Sequence, residues 1–494
     1  MIYKILNHLK YRILRRSQFD YILNINLDIT KVQPRVLLCY LPSISKLNLD
    51  IDKLFHPNVY HSNQMIYILS KLGFTIDLCY CNDLSVIDKL RGRKYDWVIG
   101  FGEVFKQILK IQNIEKSILF ITENNPIIVE KKYNERLEYF KKRRNLVKIQ
   151  NYRNTFYDIE QYKIANWAIC MNSTYNSKSM VSYFKKLYHI NVNGFFNEHF
   201  ILKENTDTER CNSFVWFGST GVIHKGLDIL VEAFAKLPSK RLNIYGISKQ
   251  EIAMIKPCIG RNTFLHEKIN VMDNTFISEV VEKNAFIVSL SCSEGMQSGV
   301  ATCMLHGLIP IVTKETGYES QNFIFEFSDY HLDSVVNTIL HTSSLSIAEI
   351  NRLSRLVYDY AHKNFSLISF SNRFECIIKD LMKKKKIGSR YEEAAAAFLQ
   401  KQGFRILGKN FRCRQGEIDL VCREGKELVF TEVKYRSDAS CGSPFEAVDF
   451  RKQEKIRRTA LFYLCRYGYP ENTPCRFDVV GITGSNIQLI RNAF

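Results

Sequence analysis

"FVWFGSTGVIHKGLDILVEAF" spans Phe214 to Phe234 and decides the fold of most of this chain. It opens on an apolar run that ends at Gly218 and closes on an amphipathic segment starting near Gly226. In that segment Leu227, Leu230, Val231, Phe234 and Leu237 recur at helical spacing and define one buried face. A buried strand, a loop and a helix in this order make one βα unit of a parallel sheet. Lys225 then falls at a helix N-terminus, at the carboxyl edge of that sheet. Backbone N–H groups, the helix dipole and an ammonium converge there, which suits a diphosphate. A lysine at a helix start that holds no ligand fits the same pattern.

Outward from this unit the alternation continues. "RVLLCYL", "NQMIYILSKLG", "TIDLCYC", "YDWVIGFG" and "KSILFIT" precede it; "RLNIYG", "AFIVSLS" and "LIPIVT" follow. Strand-like runs interleaved with helical ones predict two doubly wound α/β domains, divided near residue 205 where "KENTDTERCNS" is polar.

A second stretch, "FIVSLSCSEGMQSGVATCMLHGLIPIVTKETG", repeats the strand–loop–helix–strand pattern with small residues in its loop. The two stretches together resemble the donor-nucleotide domain of GT-B glycosyltransferases, in the retaining group with a "KG" loop and a Glu-x7-Glu motif. The resemblance covers roughly residues 35 to 380 and is strongest over 211 to 318. It implies that Lys225 holds the donor diphosphate and that Glu294 takes the first-Glu role near the sugar. It also implies that Gly295, Ser298 and Gly299 let the backbone approach a nucleotide-sugar donor. Two positions depart from the pattern: Thr302 stands where the family has its second Glu, and Ser219 where it has an Arg. Each lost charged hydrogen bond weakens a donor by about 1–3 kcal/mol. His61, in "VYHSNQ" ahead of a helix, is a further cleft candidate, against the commoner role of a lone histidine in packing.

The chain has 494 residues, 46% of them hydrophobic, and a formal net charge of +19. That length allows about three domains. The charge favours anionic partners: nucleic acid, acidic lipid or phosphorylated substrates. No apolar run approaches the ~18 residues of a membrane-spanning helix. The first residues lack the pattern of a secretory signal. The 14 Cys are scattered without a CxxC pair, which argues against structural zinc and suits a reducing cytoplasm. Two basic segments, "MIYKILNHLKYRILRR" and "NERLEYFKKRRNLVK", are candidates for lying on anionic lipid at the inner membrane face, as a transferase with a glycan or lipid-linked acceptor would. Solvated surface helices would read the same way.

Composition shifts at "DLMKKKKIGSR". Before it lysine, asparagine, isoleucine and aromatics dominate; after it arginine outnumbers lysine and alanine is common. Lys383 to Lys386 are expected to form a solvated joint, and Met382 stands where a separate small gene would start. The predicted domains are therefore 1–205, 206–382 and 383–494.

In the last of these, "QGEIDLVCREGKELVFTEVK" (Gln415–Lys434) reads as a β-hairpin. A four-residue loop at Glu424–Glu427 puts Arg423 opposite Leu428 and Asp419 opposite Glu432, with Lys434 on the same face as Glu432. Opposed carboxylates repel unless a cation lies between them, and hard oxygen ligands suit Mg²⁺. A polar strand face would also carry these residues. Glu392 falls in an apolar helical row with Ala396 and Leu399, where a carboxylate is costly unless a site receives it. G-x-x-x-E at Gly388–Glu392, "GEIDLV", "VFTEVKYR" and "CRFDVVGI", in this order, resemble the YraN family of the PD-(D/E)XK restriction-endonuclease-like superfamily. The resemblance implies a small α/β nuclease fold with Asp419 and Glu432 as metal ligands, Lys434 as the catalytic lysine and Glu392 as an accessory acid. On the helix "DFRKQEKIRRTALFYL", Arg451, Lys455 and Arg458 share a face that would grip the phosphates of DNA or RNA.

Overall fold

In the computed structural model, residues 21–41, 57–144, 156–204, 206–436, 450–483 and 486–494 are described. The side chains of 383–390, 435–436, 450–451 and 483 lie outside that description. The amino-terminal basic segment, Met1 to Arg16, lies wholly outside it.

The described chain divides into two compact units, Met1–Glu375 and Cys376–Phe494. The first unit holds two sheets. Strands β1 (Ile22–Ile25), β2 (Arg35–Tyr40), β3 (Thr75–Tyr80), β4 (Trp97–Gly100), β5 (Lys116–Ile121), β6 (Trp167–Cys170) and β7 (Lys186–His189) form the first, in the order β1-β3-β2-β4-β5-β6-β7. All neighbours are parallel except β1, which runs antiparallel to β3. Its central strands are buried throughout: β4 and β5 are buried at every residue, as sheets covered on both faces require.

The second sheet contains β8 (Ser213–Phe217), β9 (Arg241–Tyr245), β10 (Thr263–His266), β11 (Phe286–Ser289), β12 (Ile309–Val312) and β13 (Phe325–Glu326). Its order is β10-β9-β8-β11-β12-β13, parallel throughout. The opening stretch supplies β8 and the helix Leu227–Ala235, which buries Leu227, Leu230, Val231 and Phe234 as the spacing required. Gly226 makes the turn into that helix at φ 66°, where a Cβ would come 2.5 Å from the Leu290 carbonyl oxygen. Only glycine fits the conformation and the gap.

The helix Pro126–Arg144 carries the second basic segment, read from the sequence either as a candidate for lying on anionic lipid or as a solvated surface helix. Arg143 pairs with Asp228 and, at 2.5 Å, with Glu232, while Arg144 lies 2.9 Å from Glu232. Both acids belong to the helix Leu227–Ala235 of the second sheet's domain. Lys141 pairs with Glu138 on its own helix. Acidic partners some 85 residues downstream use up the charge that looked uncompensated locally. Arg136, also buried, donates to the Leu290 carbonyl at 2.9 Å.

In the second unit, β14 (Arg405–Cys413), β15 (Gly416–Glu424), β16 (Glu427–Arg436), β17 (Cys475–Thr483) and β18 (Asn486–Ile490) lie side by side in that order. Only β16 and β17 are parallel. One sheet face packs Leu420, Cys422, Val429 and Val480 against Ala395, Ala396 and Leu399 of the helix Leu367–Lys401. The other packs Ile418, Val421, Phe430 and Val479 against Ile456, Ala460 and Tyr463 of the helix Phe450–Arg466. Gly403, at φ 90°, ends the first of these helices. The backbone is helical through Lys383–Lys386, where the sequence suggested a solvated joint. Among the described residues, no helix is long and apolar enough to cross a membrane.

Candidate functional sites

Between the two sheets of the first unit lies a cavity of about 760 Å³. Loops after β8 and β11 line one wall; Thr122 and Glu123 after β5, and His61 on the helix Pro57–Lys71, line the other. These are carboxyl ends of parallel strands, where open α/β sheets carry their ligands. Lys225 and Glu294 both line the cavity. The Lys225 ammonium donates to Ser219 Oγ at 3.2 Å. The buried Glu251 carboxylate fixes the loop between them, accepting from Gly221 N at 2.7 Å and Val222 N at 3.1 Å. Glu294 Oε1 accepts from Ser291 Oγ and Gln297 Nε2, each at 3.2 Å, and lies 3.4 Å from His224 Nε2. Thr302 also lines the cavity, and its Oγ1 accepts from the Phe195 N–H at 3.1 Å. His61 is buried and stacked on Phe370 at 4.2 Å, with Nδ1 3.3 Å from the Tyr40 hydroxyl.

The glycines of this loop sit where backbone approaches backbone. A Cβ on Gly295 would sit 2.2 Å from the Thr122 carbonyl oxygen, and one on Gly299 2.6 Å from that of Phe217. Both are small because backbone meets backbone there. Gly295 belongs to the packing of one domain on the other; Gly299 also borders the cavity.

The second site lies on the hairpin β15–β16. Arg423 faces Leu428, and Glu424 pairs with Glu427, so the turn itself is Gly425-Lys426. The register is the one counted from the sequence. One step beyond the pair Leu420–Thr431, Asp419 Oδ2 accepts from Val433 N at 2.7 Å. Glu432 is 3% exposed; its Oε1 accepts from Lys434 Nζ at 2.6 Å and lies 3.1 Å from Lys452 Nζ. Its Oε2 is buried without a hydrogen-bond partner. Burial first, and the neighbouring Glu432 second, push the Asp419 carboxyl up to about 7. Burial works to lower the Lys452 pKa, yet Glu432 and Asp419 together raise it. Glu392 reaches the same region and accepts from Asn410 Nδ2 at 2.6 Å.

Sequence reasoning missed Lys452. It lies at the start of the helix Phe450–Arg466, beside the arginine that the charge pattern singled out; the Arg451 side chain lies outside the described residues. Lys455 and Arg458 are exposed on that helix. Among the described residues, no group of three or more His, Cys, Asp or Glu side chains converges in metal-binding geometry. A buried carboxylate oxygen without a partner, beside a second carboxylate, fits a hard cation that keeps most of its waters.

Two largely parallel sheets facing each other across a cavity define a GT-B body, and a small mixed-sheet α/β domain follows it in sequence. Residues 391–482 match the model of "Uncharacterised protein family UPF0102". A UPF0102 protein from Lachnoclostridium phytofermentans is 51% identical over 113 residues, covering 23% of this chain and 96% of that protein. One from Symbiobacterium thermophilum is 45% identical over 115 residues, covering 22% and 97%. Through this C-terminal domain the chain belongs to the UPF0102 (YraN) family. The body is similar in fold to a sucrose-phosphate synthase from Thermosynechococcus elongatus, with a TM-score of 0.51 and 13% identity, covering 72% of this chain and all of that one.

Proposed function

We propose that the C-terminal domain is a Mg²⁺-dependent nuclease acting on DNA or RNA, joined to a body that binds a nucleotide-sugar. The observation that carries the nuclease reading is the buried, partnerless Glu432 Oε2 beside Asp419, with two lysines on the opposite oxygen. Asp419 and Glu432 would hold the cation. Mg²⁺, when bound, would neutralise charge on the scissile phosphate and acidify water near it. Lys434, anchored on Glu432, keeps N–H donors to orient the attacking water and to stabilise negative charge on phosphorus. Lys452 holds Glu432 in place from the other side. Glu392, on its own helix, supplies a further acceptor at the rim.

For the body, Lys225 beside a helix N-terminus supports binding of a donor diphosphate. A glycan or lipid-linked acceptor would enter from the His61 and Glu123 wall. Thr302 and Ser219, each engaged by groups of this chain rather than offering charge, favour a transferase of reduced power. They equally support a degenerate body carrying a nucleic-acid-binding module.

Cleavage of labelled single-stranded, duplex and branched nucleic acids by the purified chain, with Mg²⁺ and with chelator, tests the nuclease. Products are expected only with the cation, and none with Asp419→Asn or Glu432→Gln. Cleavage that survives both substitutions would remove these residues from the site.

A further inference from the structure

The helix Phe450–Arg466 begins at the nuclease site, where Lys452 meets Glu432, and leads away from it. Lys455, Arg458, Phe462 and Arg466 follow at i, i+3, i+7 and i+11, within about 80° of one another around the helix axis. All four are exposed. Basic residues on such a stripe are ordinary; a phenylalanine in the middle of it is not. Phe462 is 39% exposed, and nearby Tyr467 is 56% exposed. They belong to one aromatic group: Phe411 lies 6.5 Å from Phe462 and 6.2 Å from Tyr467, and Tyr463 anchors the group in the core. The acids nearby are already engaged, Glu454 with Arg457 at 3.1 Å and Glu417 with Arg412 at 3.4 Å. The stripe is therefore cationic with aromatic surface interleaved.

We infer that this stripe is a track for a single-stranded polynucleotide, whose bases stack on Phe462 and Tyr467 while Lys455, Arg458 and Arg466 hold its phosphates. The inference rests on the nuclease reading for the destination of the strand. The chemistry discriminates between strand forms. A duplex keeps its base faces inside the stack and offers a protein phosphates and base edges. A single strand offers base faces, and an aromatic side chain can stack on any of them. Lys452 and Phe462 are ten residues apart, about 15 Å along the helix axis. That distance accommodates about four stacked nucleotides between the scissile phosphate and the aromatic group. The substrate class that follows is nucleic acid with a single-stranded segment beside the cleavage point, such as a flap, a gap or a loop.

The test is fluorescence anisotropy of the full chain in chelator, so that binding is read without cleavage. The probes are a short labelled oligothymidylate, an oligouridylate and a blunt duplex of equal length. Phe462→Ala is expected to weaken both single strands about tenfold and to leave the duplex within about twofold. Phe462→Leu keeps the apolar contact with Phe411 but has no π face, so it should lose as much as alanine; Phe462→Trp should bind at least as well as wild type. Lys455→Ala and Arg458→Ala should weaken all three probes and lower the salt slope by about one each. Full binding by Phe462→Leu, equal losses on single strand and duplex, or no binding of any probe would overturn the track. So would a wild-type dimer that Phe462→Ala dissociates, because the face would then be an interface between copies. With Mg²⁺ added, cleavage without any dependence of single-strand binding on Phe462 removes the track and keeps the nuclease. Single-strand binding that depends on Phe462, without cleavage of any probe, supports the track and removes the nuclease.

Discussion

Asp419 shows how one residue ties sequence to measurable behaviour. Its place opposite Glu432 was countable because a hairpin is local: the turn fixes the register and the register fixes the pair. Its burial was not countable. That depends on helices packed on both faces of the sheet, and burial is the main reason its carboxyl titrates near 7 rather than 3.8. Lys452 stayed hidden for the same reason, since it enters from a helix whose place on the sheet only the tertiary fold sets. The pH consequence has a definite sign. The folded pKa is raised, so the folded state binds the proton more tightly than the unfolded chain. Asp419 therefore adds stability that is complete below about pH 4 and is lost as pH rises through about 7. Melting of the metal-free protein should show this decline, and Asp419→Asn should remove its share. Mg²⁺ must displace the proton to bind, so the melting temperature it adds should be larger at about pH 8 than at about pH 6. A Mg²⁺ shift that is equal at both, or absent at both, contradicts the pairing of Asp419 with a cation.

At the scale of elements, the β–α alternation was legible because apolar runs and 3.6-residue periodicity are properties of short segments. Strands β2, β3, β4, β5, β8, β9, β11 and β12 lie on runs read from the sequence. Edge and short strands such as β1, β10 and β13 have too little apolar pattern to declare themselves. Sheet order was beyond reach, as was the clasp made by the helix Pro126–Arg144. The clasp carries its own prediction. Asp228 is buried, and burial raises its pKa against the pull of Arg143 and Arg136. Removing Arg143 would strand that carboxylate. Arg143→Met is expected to cost about 3–5 kcal/mol in urea unfolding of the body, and Asp228→Leu in the same chain should recover much of it. Lys141→Ala, which breaks a pair with the mostly exposed Glu138, should change stability by under about 1 kcal/mol. Equal losses from Arg143→Met and Lys141→Ala would mean that the clasp is a surface contact.

Across the whole molecule, a GT-B body and a UPF0102 domain share one chain, and each proposed activity can be tested in the presence of the other. In the body, calorimetry with a nucleoside diphosphate should show Lys225→Ala weakened more than Glu294→Gln. In the proposed reading Lys225 would hold the donor diphosphate, and Glu294 would lie by the sugar, which the bare nucleotide lacks. Equal affinities for wild type and Lys225→Ala would take Lys225 out of the site. The change of composition near residue 383 was legible as a difference in residue usage, but it did not reveal that the backbone there is helical, because lysine suits a helix and a solvated linker alike. The nuclease claim is central, and Lys434 isolates it. It donates to a proposed ligand without being one, so Lys434→Ala should keep or tighten Mg²⁺ binding while the water loses its orienting donor. The decisive measurement is the Mg²⁺-dependent cleavage rate of Lys434→Ala relative to wild type, on the substrate wild type cuts best. A loss of at least about 10²-fold is expected, and cleavage at the wild-type rate would contradict the account.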